Sequence, residues 1–168
     1  MPWVYFDASA LIKRYSQENG TLLVNEVFRQ ILPNHMTCST LGILEIVSAL
    51  VRKRNDGRLG QALFAQAMID FRDEIVDREG FVATSVNDAL LFSALDLVAK
   101  YNLNATDAVI LRSALALQQA LQQETADELM LWASDKRLGR AACSEGLTVF
   151  DPEVETMDRL QQYLAMRI

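Results

Sequence analysis

Five short, apolar, β-prone runs alternate with stretches of helical periodicity, and this alternation restricts the fold more than any other feature of the chain. The runs are WVYF (3–6), MTCST (36–40), FVATSV (81–86), ELMLWAS (128–134) and LTVF (147–150). They are apolar rather than cleanly alternating, the pattern of strands covered on both faces. Between them the sequence reads as helix. In TLLVNEVFRQIL (21–32), Leu22, Leu23, Val27 and Ile31 are spaced for one face, and LGILEIVSALVRKR (41–54) is a strong helix stopped by NDG at 55–57. Further helices are predicted over 59–79, 87–101, 106–123 and 136–146, and over 152–167 with Pro152 at a first-turn position. Strands alternating with helices imply a parallel sheet with right-handed crossovers. The expectation is a doubly wound α/β sandwich, five parallel strands flanked by helices.

With 168 residues, 51% hydrophobic and only three prolines and seven glycines, the chain is expected to form one domain, 1–168, without linkers or repeats. Cys38 and Cys143 lie among apolar or small residues with no metal-ligand spacing, and are read as buried thiols rather than a disulfide. The start of the chain runs straight into WVYF without a basic leader region, and no apolar run has the length of a membrane span. A soluble, cytoplasmic protein with no membrane association is expected.

In sheets of this kind ligands bind beyond the carboxyl ends of the strands, and four acids map there. Asp7 follows the first strand and Asp135 follows the fourth. Glu45 lies in the opening turns of the helix after the second strand, and Asp107 in the first turn of its own helix. Asp7 and Asp135 also suit plain helix capping, and Asp107, three residues after Asn104, suits a first-turn acid favoured by the helix dipole. Glu45 is harder to explain structurally. It stands among Leu41, Gly42, Leu44, Ile46, Ser48 and Ala49, and a carboxylate on so apolar a face is costly to bury unpaired. Four converging acids repel one another and raise each other's pKa unless a cation sits among them. Oxygen ligands without histidine or thiolate suit Mg²⁺, with Mn²⁺ as a substitute. Ser9 could hold a metal-associated water or a substrate phosphate, or serve only as a helix-start hydroxyl.

The absences narrow the chemistry. The one histidine, His35, lies in a polar turn and is read as solvated surface, which excludes a two-histidine ribonuclease and leaves a Ser-His-Asp triad poorly served. There is no phosphate-binding glycine loop. The net charge of −6 argues against an indiscriminate nucleic-acid surface, although discounting the four acids leaves only −2. Basic residues also fall near the acids: Lys13 and Arg14 after Asp7, and Lys136, Arg137 and Arg140 after Asp135. Lys136 and Arg137 are favoured as contacts to substrate phosphates. Arg52, Lys53 and Arg54 end the Glu45 helix and are read as too distant to touch the site.

In order along the chain, VYFDASALIKRY, LEIVSAL, TDAVIL and ASDKRLGRAACSEGLTVFDP resemble the acidic motifs of PIN-domain nucleases, most closely the VapC-like toxins of prokaryotic toxin–antitoxin pairs. The resemblance covers nearly the whole chain. It implies a PIN-like three-layer sandwich with a five-stranded parallel sheet and a Mg²⁺-dependent endoribonuclease acting on an RNA substrate. It also implies a homodimer, and a cognate small antitoxin that covers the acidic pocket. Carried over by position, Asp7, Glu45, Asp107 and Asp135 become the metal-binding, catalytic acids with Ser9 as polar neighbour of the first. The chain departs from compact members of the family in its long central helices and in the acidic QQETADEL (122–129). Two other classes stay open: a PIN-fold module that binds RNA or protein without cutting, and, with a poorer fit, a receiver domain or a haloacid-dehalogenase-like phosphatase, which would need Asp-x-Asp where this chain has Asp7-Ala8-Ser9.

Overall fold

The computed structural model describes residues 2–125 and 127–165. Its elements are β1 (Trp3–Phe6), α1 (Ala8–Leu11), α2 (Thr21–Gln30), β2 (Met36–Cys38), α3 (Thr40–Asn55), α4 (Gln61–Phe71), α5 (Asp88–Ser93), α6 (Leu95–Tyr101), α7 (Ala105–Glu124), β3 (Leu129–Trp132), α8 (Lys136–Ser144), β4 (Thr148–Phe150) and α9 (Met157–Ala165). The strands form one parallel sheet in the order β2-β1-β3-β4. The last residues of all four are in register: Phe6 pairs with Cys38 and with Trp132, and Trp132 pairs with Phe150. The segments leaving the sheet therefore emerge side by side.

Side chains along each strand alternate between two cores. Val4 and Phe6 of β1, with Met130 and Trp132 of β3, pack against residues of α1, α2, α3, α4 and α9. Tyr5, Leu129 and Leu131 face the opposite way, towards α6, α7 and α8. Trp132 anchors the first core, stacked on Phe150 at 4.2 Å between ring centroids with Phe6 at its edge. In the second, the Tyr5 hydroxyl donates to Ser113 Oγ at 2.9 Å. These are the three layers expected.

The sheet has four strands, not five. FVATSV (81–86) runs beside β2 but meets it in a single bridge, Ser39 with Thr84. A side chain takes the place of the ladder: Thr37 Oγ1 donates to the Val82 carbonyl at 2.7 Å and lies 3.1 Å from Thr84 Oγ1. Val82 is exposed, so this segment does not share the two-sided burial that made it read as a strand.

Several helices are shorter than their periodicity predicts. The 59–79 stretch leaves α-geometry after Phe71 for a π-turn over Arg72–Val76, and Ile75 in that turn is buried. The 87–101 stretch breaks at Ala94, where the Ser93 hydroxyl donates back to the Leu90 carbonyl. Pro152 lies in a turn before α9 rather than in its first turn, and the end of the predicted 152–167 helix lies outside the described residues. That turn is held close by Gly20, which has φ +90°; a Cβ there would sit 2.5 Å from the Pro152 carbonyl oxygen. Both cysteines are free, but only Cys38 is buried; Cys143, on the outer face of α8, is exposed. Among the described residues no helix is long and apolar enough to cross a membrane.

Candidate active site

The sheet's carboxyl edge gathers the acids through the helix starts that follow the strands. Asp7, immediately after β1, caps α1 by accepting the Ser9 amide on Oδ2 at 2.9 Å. Asp135 caps α8, its Oδ1 accepting from the amides of Arg137 at 2.8 Å and Leu138 at 2.9 Å. Asn104 caps α7, its Oδ1 accepting from the Asp107 amide at 2.8 Å, and its Nδ2 donates to Asp107 Oδ2 at 2.9 Å and so holds that carboxylate. Glu45 stands on α3 beside the fully buried Ile46 and is itself half-buried. Each acid that suits a structural role thus has one, and that role fixes where the carboxylate points.

Ser9 ties two of these junctions together. Its hydroxyl donates to Asp7 Oδ2 and accepts from the amides of Ser134 at 2.9 Å and Asp135 at 3.3 Å. One donor and two acceptor positions are all that a serine hydroxyl has, so Ser9 is fully engaged in joining the ends of β1 and β3. Ser9→Ala is expected to cost about 1 kcal/mol, chiefly for taking a hydrogen bond from the buried Asp7 carboxylate, measurable as a lower urea midpoint at unchanged slope.

The four carboxylates share one electrostatic field. Burial raises the pKa of Asp7, the Ser9 hydroxyl and amide oppose that rise, and the Asp135 charge adds to it. Glu45 is pushed up to about 7, by burial first and then by Asp7 and Asp107, with Arg52 opposing. Asp107 is pushed up to about 6 by burial, Asp7 and Asp135, with Arg137 opposing. Among the described residues, none of the four forms an ion pair. A carboxyl whose folded pKa lies above its unfolded value favours the protonated state, so its contribution is most favourable at low pH and is lost as the pH rises through the folded pKa. For Glu45→Gln we therefore expect wild-type stability near ~pH 4 and a gain of roughly 1 kcal/mol over wild type at ~pH 8, after discounting for the solvent exposure of Glu45. Metal-free urea unfolding at the two pH values checks this.

The donor set fits a hard divalent cation: oxygen ligands only, with Asp7, Glu45 and Asp107 each disfavoured as anions by burial and a neighbouring acid, and with no ion pair to any of the four among the described residues. The side chains do not stand as a finished cage, since among the described residues no group of three or more His, Cys, Asp or Glu has metal-holding geometry. His35 takes no part. It packs on Trp3, with ring centroids 5.1 Å apart, at the opposite end of β1 and half-buried rather than freely solvated.

The basic residues divide differently from the sequence expectation. Lys13 is buried, donating to Glu153 at 2.6 Å and to Glu18 at 3.4 Å. Arg14 forks onto Glu74 at 2.6 and 3.0 Å. Lys136 pairs with Asp151 at the rim, and Arg137 donates from Nη1 to the Asn102 carbonyl at 3.0 Å. Arg52 and Lys53, read as too distant, instead line a cavity of about 380 Å³ together with Ser9 and Asp135. The signal was in the spacing: Arg52 follows Glu45 by seven residues, two turns along the same face of α3.

Residues 4–142 match the PIN domain family. The chain belongs to that family. Among solved structures, this PIN domain is similar to PAE2754 from Pyrobaculum aerophilum, at 17% identity and a TM-score of 0.59, over 99% of this chain and 97% of that one. It is also similar to a toxin–antitoxin complex from Klebsiella pneumoniae, at 15% identity and a TM-score of 0.49, over 89% of this chain and 97% of that one. At such identity the Pyrobaculum likeness concerns the fold of the PIN domain alone. No curated protein matches the sequence significantly.

Proposed function

We propose that this PIN domain is a Mg²⁺-dependent endoribonuclease, with Mn²⁺ able to substitute, acting as a VapC-like toxin. The observation that carries the reading is the acidic edge: Asp7, Glu45 and Asp107 each have a pKa raised by burial and by a neighbouring acid, Asp135 among them, and none of the four forms an ion pair among the described residues. Retaining that repulsion serves no purpose in a scaffold. Asp7, Glu45, Asp107 and Asp135 would hold the ion, which when bound supplies charge for a phosphoryl group and activation of water. The chain's own residues do the rest. Ser9 fixes the Asp7 carboxylate. Glu45, pushed up to about 7 by burial, Asp7 and Asp107 in the metal-free protein, is the carboxylate whose charge a bound cation would most relieve. Arg137 uses one guanidinium nitrogen on Asn102 and keeps further donors for a phosphate, and Lys136 at the rim can exchange Asp151 for one. Water oxygen joins phosphorus as the bond to the 3′ oxygen breaks, leaving a 5′-phosphate and a 3′-hydroxyl. A single domain over 1–168, a homodimer and a small cognate antitoxin complete the proposal; these rest on the resemblance of the sequence motifs to VapC-like toxins.

The lack of a finished three-acid cage favours a second reading, a module that binds RNA without cutting it. Incubation of total cellular RNA with wild type and Asp107→Asn, in Mg²⁺, in Mn²⁺ and in chelator, separates the two. Cleavage that needs metal and is lost in the variant is the expected result. Folded wild-type protein that binds RNA but cuts none with either metal would establish the module.

A further inference from the structure

The cavity of about 380 Å³ beside the acids is lined by the carboxylates of Glu18, Asp135 and Glu153 and by four cations, Lys13, Arg52, Lys53 and Arg58. Three of them are committed elsewhere. Lys13 is held by Glu18 and Glu153, Lys53 by Glu18, and Arg58 by Asp56. Arg52 is exposed, and among the described residues its guanidinium makes no hydrogen bond or ion pair. It does not fold back onto Glu45, although the two sense each other's charge. The helix fixes its place: Ala49, Arg52 and Lys53 fall at i, i+3 and i+4, so all three face the cavity, and the small Ala49 keeps it open. The Lys13–Glu18–Lys53 ion pairs brace the same wall, so the unpaired arginine projects from a rigid element.

We propose that Arg52 is the substrate-phosphate anchor of this site, taking one phosphate of a single-stranded RNA into the cavity between α3 and the ends of β1 and β3. The proposal rests on the ribonuclease reading above and adds to it where the strand lies. A guanidinium offers paired donors that match phosphate oxygens. It also supplies the positive charge that lets a polyanion approach an edge this acidic. Asp135 borders a second cavity, of about 510 Å³, lined by Lys136, Gly139, Arg140 and Val149 among others. A strand anchored at Arg52 and leaving past Lys136 crosses the acids between two cationic flanks.

The test measures binding of a labelled single-stranded RNA in Mg²⁺ by fluorescence anisotropy, in an Asp107→Asn background so that nothing is cut. Arg52→Gln is added to one sample and Arg54→Gln to another. Arg54 carries the same charge on the same helix but stacks on Phe64, 4.5 Å from the ring centroid, and bonds to Asn55 outside the cavity. Arg52→Gln is expected to weaken binding by about tenfold and to reduce the slope of log K against log salt by about 0.7, one phosphate contact on a single strand. Arg54→Gln is expected to bind like its parent, Arg52→Gln to unfold at the parent's midpoint, and Arg54→Gln slightly below it for loss of the Phe64 stack. Unchanged affinity and slope in Arg52→Gln, or an equal loss in Arg54→Gln, would overturn the anchor while leaving the ribonuclease standing. No binding by the parent, together with no cleavage by wild type, would overturn both.

Discussion

Asp7→Asn is expected to slow RNA cleavage while making the protein harder to unfold. The two effects have one origin. Asp7 is 4% exposed, its pKa is raised chiefly by burial, and among the described residues it has no cationic partner. Asparagine keeps a carbonyl oxygen for the Ser9 amide and hydroxyl, and it caps helices as well as aspartate does, so α1 stays in place. What disappears is the charge. Without it the carboxylates that would hold the ion are one fewer and differently balanced, and losing several kcal/mol of transition-state charge stabilisation slows a reaction roughly 10³-fold. In the metal-free protein the same change removes a buried carboxylate without an ion-pair partner, whose pKa burial raises, so stability at neutral pH is expected to rise. Cleavage assays and urea denaturation of the same preparations, run in Mg²⁺ and in chelator respectively, check both halves. A variant that lost activity and stability together would make Asp7 a structural residue and nothing more.

The largest loss of stability is expected at Lys13. Its side chain is 1% exposed, yet it ends in an ammonium group that joins Glu18 before α2 to Glu153 after β4. Removing one partner of a buried pair is far costlier than never having had the pair, because the remaining charge loses its partner and keeps part of its desolvation. Lys13→Ala is expected to cost about 3–5 kcal/mol, which for a chain of this length lowers the melting temperature on the order of 10 °C. Lys13→Met is expected to lose less than half as much. It refills the space of the aliphatic stem, Glu18 keeps Lys53, and Glu153, 40% exposed, can turn to water. Differential scanning calorimetry of the two variants distinguishes loss of volume from loss of charge.

Those contrasts also show what could be read from the chain beforehand. Asp7 and Asp135 were legible as strand-end acids because two apolar runs stop at them, and a parallel sheet brings such stops to one edge. Asp107 was legible from its place three residues after Asn104. The partners of the cations were not. Lys13 meets Glu153, and Arg14 meets Glu74, across separations that no local pattern encodes. Both cations were therefore read only as basic charge near the acids. Arg52 was misjudged for the opposite reason: seven residues along a helix is only about 10 Å, and the same face returns. FVATSV has strand composition, but a threonine hydroxyl on β2 takes the carbonyl that a strand would have offered. Composition cannot show that competition.

Because the hydroxyl of Ser9, just past β1, accepts from amides just past β3, the acidic edge doubles as a check on strand alignment. A slip of one residue between the two strands would turn Asp7 to the other face of the sheet and carry the Ser134 and Asp135 amides out of reach. The junction that Ser9 makes between the two acids is therefore complete only when β1 and β3 pair in this register.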